Sequence, residues 1–135
     1  MKESLLPLLY KYASSYRQLI TYLFVGLFNT AIALAVIYIM LMFNYSYLLS
    51  NLVGYIVGIF VSFFLNSKIT FRVAANIIIA FKFVCALVIA YLSNIVIVYI
   101  TMKVIPDYPY LAQLSGVPFY IVCGFLLNKY WVFKE

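Results

Sequence analysis

The chain has no histidine and only three acidic residues in 135, Glu3, Asp107 and Glu135, none inside a long apolar run. Enzymes that use a metal-bound nucleotide sugar hold the cation with carboxylates, and those ligands are missing. Proton-coupled exporters generally carry an intramembrane acid or histidine, so the chain does not read as a small multidrug exporter despite the matching size. No glycine-rich phosphate loop is present, which excludes ATP hydrolysis by this chain. The two cysteines, Cys85 and Cys123, stand within apolar runs. Two such thiols give no metal spacing and read as small packing residues. No catalytic residue, metal or cofactor is expected.

Charge is scarce as well. Only 9% of residues are charged and 68% are hydrophobic, against about 25% charged in an ordinary soluble domain. A water-facing surface cannot be built from this composition, and lipid is the alternative solvent. A spanning helix needs roughly 20 mostly apolar residues to cross about 30 Å of hydrocarbon. Such runs occur at about 18–43, 47–67, 83–102 and 110–128. They do not alternate apolar and polar residues as barrel strands do. The fold class is therefore an all-α membrane protein with four transmembrane helices in one domain over 1–135. The first run is longer than the roughly 7–15-residue core of a signal peptide. Ahead of it, "LLPLLYKYASSY" suits either a short helix lying in the interface or a frayed terminus.

The net charge of +6 suggests nucleic acid only until its placement is read. Lys2, Lys11 and Arg17 precede the first run, Lys68, Arg72 and Lys82 fill the link between the second and third, and Lys129 and Lys134 follow the fourth. Lys103 alone falls on the other side, near Asp107. By the positive-inside rule the crowded side is cytoplasmic, so both termini are expected there. Topology accounts for the charge, and no nucleic-acid partner is expected.

The two halves align, about 16–72 with 81–134. Arg17 pairs with Lys82 and Asn29 with Asn94; after one gap, Gly54 pairs with Gly116, Asn66 with Asn128 and Phe71 with Phe133. Matching leucines mean little in so apolar a chain, but asparagines and glycines carry weight. Two tandem helical hairpins are expected, in the same orientation, a parallel internal repeat.

In the second run Ser50, Gly54, Gly58 and Ser62 recur every four residues and lead to Asn66. The fourth run has Ala112, Gly116, Tyr120, Gly124 and Asn128. Small residues at this spacing let helices approach closely, so Gly54, Gly58, Gly116 and Gly124 are read as packing positions. Pro118, which removes a backbone donor, is expected to alter packing or bending there. Asn29 and Asn94 lie near the bilayer centre, where an unpaired amide is costly. They must bond to each other, to other helices or to a polar passenger. Asn66 and Asn128 fall at the cytoplasmic ends beside Lys68, Arg72 and Lys129, as helix caps or as contacts for a lipid phosphate.

Three stretches gather these residues. "RQLITYLFVGLFNT" opens on Arg17 and holds Gly26 and Asn29; "SFFLNSKITF" runs from Ser62 to Phe71; "GFLLNKYWVF" carries Asn128, Lys129, Trp131 and Phe133. In order, spacing and four-helix setting they resemble the GtrA family of small bacterial membrane proteins, over about residues 16 to 134. Two departures stand out: Ser67 occupies the usual basic position with Lys68 next to it, and Tyr91 stands where the first helix has Gly26.

The resemblance implies translocation of polyprenyl-phosphate-linked glucose or a similar sugar, with undecaprenyl phosphate as the lipid, across the bacterial inner membrane. A separate transferase then adds the sugar to O-antigen, teichoic acid or another surface glycan. It also implies a polyprenyl-phosphate glycosyltransferase as partner. Such a carrier needs no fuel when the sugar is consumed outside. Arg17, Asn66, Lys68, Arg72, Lys82, Asn128 and Lys129 are the candidate contacts for the lipid phosphate. Asn29, Ser62, Ser93 and Asn94, with aromatic rings, are the candidates along the sugar path. Four helices enclose little volume, so a lipid-sized path calls for a groove facing the bilayer or for a homo-oligomer. The alternative is a non-transporting scaffold that anchors or recruits a glycosyltransferase.

Overall fold

The computed structural model describes residues 5–134; Lys2, Glu3 and Glu135 lie outside them. The described residues form helices only: α1 (Leu5–Met42), α2 (Tyr47–Leu65), α3 (Ile77–Val104) and α4 (Pro109–Leu127), with π-helical segments at Asn66–Phe71 and Asn128–Val132. All four α-helices are long and apolar enough to cross a membrane. The expected all-α, four-helix architecture is borne out, and the chain is a multi-pass membrane protein. It forms two compact units, Met1–Ala74 and Ala75–Glu135. In the first, α1 lies against α2; in the second, α3 lies against α4.

The segment before Arg17 corrects both readings offered for it. It is neither a separate interfacial helix nor a frayed end, because α1 runs unbroken from Leu5 to Met42, 38 residues. No glycine falls between Leu5 and Arg17, and Pro7 sits in the first turn, where a missing N–H costs nothing. At about 1.5 Å per residue such a helix is roughly 57 Å long, longer than the about 30 Å of hydrocarbon that a spanning helix has to cross.

The turn of the first hairpin is encoded locally. Asn44 adopts the left-handed conformation (φ 62°), which asparagine tolerates at a helix end. Ser46 then caps α2, its Oγ accepting the Leu49 N–H at 3.3 Å, as N-cap serines do. In the second unit Asn76 caps α3 in the same way, accepting from Ile79 N–H at 2.9 Å. Thr101 and Ser115 join α3 to α4 through their hydroxyls, 2.9 Å apart. Helix α4 continues through Pro118, which is exposed.

The small-residue series form the buried edges of α2 and α4. Ser50, Gly54 and Gly58 are buried in the first unit and Ala112, Gly116 and Gly124 in the second, with Ser62 and Tyr120 half-buried. Gly54 faces Ala33 and Ile37, Gly58 faces Ala33 and Asn29, and Gly116 faces Asn94. Each glycine thus admits a residue of the partner helix in its own hairpin, as close packing in lipid requires.

The ends of α2 and α4 differ from a simple helix exit. At Asn66 and Asn128 the helix widens into a π-turn closed by i to i+5 bonds, Arg72 N–H to Ser67 O and Phe133 N–H to Asn128 O. Ser67 explains the first closure. Fully buried, it donates its hydroxyl to Val73 O at 2.5 Å, while its carbonyl accepts the Val73 N–H at 2.9 Å. A long basic side chain has no room at this position. The clamp holds Arg72 in the left-handed region at φ 59°, a conformation that costs a non-glycine residue roughly 1 kcal/mol.

Candidate functional site

Along α1, Tyr10, Ser14, Arg17, Gln18 and Thr21 recur at helical spacing and share one face. This polar stripe meets Ile69, Thr70 and Arg72 of the π-turn across a cleft of about 220 Å³. Arg17 and Arg72 are both exposed. Thr70 is buried, and its Oγ1 has no hydrogen-bond partner among the described residues. Each guanidinium offers a planar fork of donors of the kind that a phosphate or carboxylate accepts, beside the hydroxyls and the Gln18 amide. The cleft lies at the end of the hairpin where the chain enters and leaves.

The other predicted cations stand apart from this cleft. Lys68 is exposed, with Nζ 4.2 Å from the Phe64 ring centroid, within the roughly 6 Å reach of a cation–π contact. Lys129 lies against Phe125 and Tyr130, at 5.6 Å and 5.5 Å. Lys82 is half-buried on α3.

Asn66 and Asn128 are buried, at 2% and 0% exposure. Asn66 Nδ2 donates to Ser62 O at 2.9 Å and to Ser62 Oγ at 3.2 Å; Asn128 Nδ2 donates to Gly124 O at 2.8 Å. Both amides therefore bond back one turn at the start of each π-segment, and both Oδ1 atoms lack a partner among the described residues. Replacing Asn128 with leucine of similar shape removes one hydrogen bond and one unpaired acceptor together. These contributions oppose each other, so Asn128→Leu is expected to change stability by no more than about 1 kcal/mol, read by thermal unfolding in detergent.

Among the mid-helix residues, Asn29 is half-buried against Gly58, and its Oδ1 also lacks a partner among the described residues. Ser93 Oγ donates to Ala90 O within its own helix at 2.7 Å. Asn94 touches Gly116 and lines a groove of about 410 Å³ in the second unit, together with Tyr91, Tyr99 and Gln113.

The structure thus brings Arg17 and Arg72 together and leaves Lys68, Lys82 and Lys129 outside their cleft. Sequence reasoning did not single out Ser14, Gln18, Thr21 or Thr70, nor Gln113 in the groove. The stripe from Tyr10 to Thr21 was detectable as polar residues at helical spacing in an apolar helix. Thr70 and Gln113 are isolated in sequence and offered no such signal.

No group of metal-binding side chains occurs among the described residues. No curated protein and no solved structure matches the chain. Residues 21–133 match the family model described as GtrA/DPMS, transmembrane domain, so the chain belongs to the GtrA/DPMS family.

Proposed function

We propose that the chain is a translocator, not an enzyme, that moves a polyprenyl-phosphate-linked sugar such as glucose across the bacterial inner membrane to supply a surface glycan. Membership of the GtrA/DPMS family supports membrane sugar-lipid translocation in general. The observation that carries the finer reading is the cleft of Arg17 and Arg72 in a membrane hairpin. The monoanionic phosphodiester of such a lipid is headgroup chemistry that paired guanidiniums recognise. The polyprenyl chain stays in the bilayer, so only phosphate and sugar need polar partners during crossing. Arg17 and Arg72 hold the phosphate at the cytoplasmic face. Lys68, Lys82 and Lys129 draw anionic lipid to that face through the local field. Asn66 and Asn128 hold the π-turns that present these cations. Asn29, Ser62, Ser93 and Asn94 serve the sugar at mid-depth. The π-turns' matching asparagine bonds support the reading of two tandem repeats, and the placement of the basic residues supports cytoplasmic termini. A polyprenyl-phosphate glycosyltransferase supplies the substrate.

The test is leaflet exchange of a labelled polyprenyl-phosphate glucose in liposomes containing the purified chain. Exchange faster than in protein-free vesicles, and slowed by Asn29→Leu with Asn94→Leu, is the expected outcome. Exchange equal to protein-free vesicles, with glycan modification in cells untouched by the double variant, would leave the scaffold role instead.

A further inference from the structure

The groove of the second hairpin differs chemically from the basic cleft of the first. It opens between α3 and α4, from Asn94 near the middle of α3 to Gln113 near the start of α4. At about 410 Å³ it falls within the roughly 300–1,000 Å³ range of small-ligand sites. Tyr91 and Tyr99 present exposed rings, 59% and 63% accessible, and Ile95 and Val98 supply an aliphatic wall. Asn94 and Gln113 each offer both a carbonyl acceptor and an amide donor. Hydroxyl groups also donate and accept, and the C–H face of a pyranose suits an aromatic ring. The groove contains no carboxylate and no cation among its lining residues. The nearest ammonium, Lys103, is turned onto the Tyr99 ring at 5.5 Å.

From this lining we infer that the α3–α4 groove binds the sugar headgroup itself, and that it selects an uncharged hexose. Resting on the translocation reading above, the assignment adds a specificity site with Gln113 and the two tyrosines as its new members. An amino sugar finds no counter-ion in the groove and meets the positive charge of Lys103 at Tyr99. A neutral hexose satisfies both amides without bringing a charge out of water, a transfer that is costly when unpaired. Gln113 is exposed in the first turns of α4, so replacing it leaves the helix contact intact.

The experiment measures equilibrium binding to the full-length chain in nanodiscs of three lipids: polyprenyl phosphate, its glucosyl derivative and its amino-sugar derivative. The wild type is expected to prefer the glucosyl lipid over both others. Gln113→Leu is expected to weaken the glucosyl lipid about 3- to 10-fold, the worth of one hydrogen-bonding group, and to leave sugar-free lipid binding as it was. Tyr99→Ala should weaken the glucosyl lipid more than Tyr99→Phe, which keeps the ring. A Gln113→Leu protein that loses sugar-bearing and sugar-free lipid equally, or neither, overturns the sugar site while translocation stands. A wild-type chain that prefers the amino-sugar lipid overturns the selectivity. A wild type that binds none of the three overturns the translocation reading and this site with it.

Discussion

Gly116→Ala is expected to destabilise the second hairpin by about 1–3 kcal/mol, the usual cost of overpacking a tight contact, whereas Gly26→Ala leaves the first hairpin as stable or slightly more so. A Cβ added at Gly116 would stand 2.5 Å from Asn94 Nδ2, 2.8 Å from its Cγ and 2.9 Å from its backbone O. The carbonyl cannot swing away, so α3 and α4 must separate. At Gly54 the closest atoms are Cγ1 and Cδ1 of the Ile37 side chain, which give way by a change of χ1, with Ala33 O at 3.0 Å as the one backbone contact. At Gly58 the nearest atom, Ala33 Cβ, is 3.4 Å away, and at Gly26 nothing lies within 4 Å. Alanine in place of glycine also recovers about 0.5–1 kcal/mol of helix propensity. The expected order of loss is therefore Gly116, Gly54, Gly58, then Gly26, read as unfolding midpoints in detergent by far-ultraviolet ellipticity. Equal shifts at Gly116 and Gly26 would show that close approach does not hold the second hairpin together. Because Asn94 lines the groove, Gly116→Ala should also weaken sugar-lipid exchange.

The parts of this fold that were legible in the sequence are those set by solvent and spacing. Four long runs without acids leave no alternative to spanning helices, and small residues every four positions mark the faces that become buried. The extent of α1 was not legible, because Lys11 and Arg17 signal the membrane boundary while the helix itself has no reason to stop there. The π-turns were hidden for a different reason. The first depends on the Ser67 clamp to residues 72 and 73, and a serine directly after a helix asparagine looks like any loop serine. The site was half legible. Arg17 and Arg72 were visible as cations near one face, but so were Lys68, Lys82 and Lys129. Only the folded chain shows that the polar stripe of α1 faces Arg72 and not Lys68.

The two units differ at equivalent positions. By the spacing that pairs Asn66 with Asn128, Thr70 corresponds to Val132 and Arg72 to Lys134. Val132 is buried beside the Phe83–Phe133 ring pair, and α3 begins only five residues before Lys82. The second unit thus lacks the long polar stripe and the hydroxyl that shape the cleft of the first. The cleft with two arginines thus lies in one hairpin and the groove lined by uncharged side chains in the other.

Arg17→Ala and Arg72→Ala are accordingly expected to slow sugar-lipid exchange in liposomes by about 10- to 100-fold each, since a hydrogen bond to a charged group contributes roughly 1.5–3 kcal/mol. The double variant should lose less than the product of the two, because both side chains act on one phosphate and neighbouring contacts are not additive. Arginine to lysine at either position keeps the charge but not the paired donors, and should give an intermediate rate. Lys68→Ala is expected to cost less than either arginine, its ammonium being turned onto Phe64 outside the cleft. Arg72→Gly separates binding from folding. Glycine adopts the φ of 59° found at this position without the steric cost of a side chain, so the hairpin should gain up to about 1 kcal/mol while exchange falls as far as in Arg72→Ala. Higher salt should slow the wild type as well, by screening the exposed guanidiniums. If both alanine variants exchange lipid at the wild-type rate, the cleft has no part in transport; if Arg72→Gly loses stability and exchange together, the arginine is there to hold the π-turn.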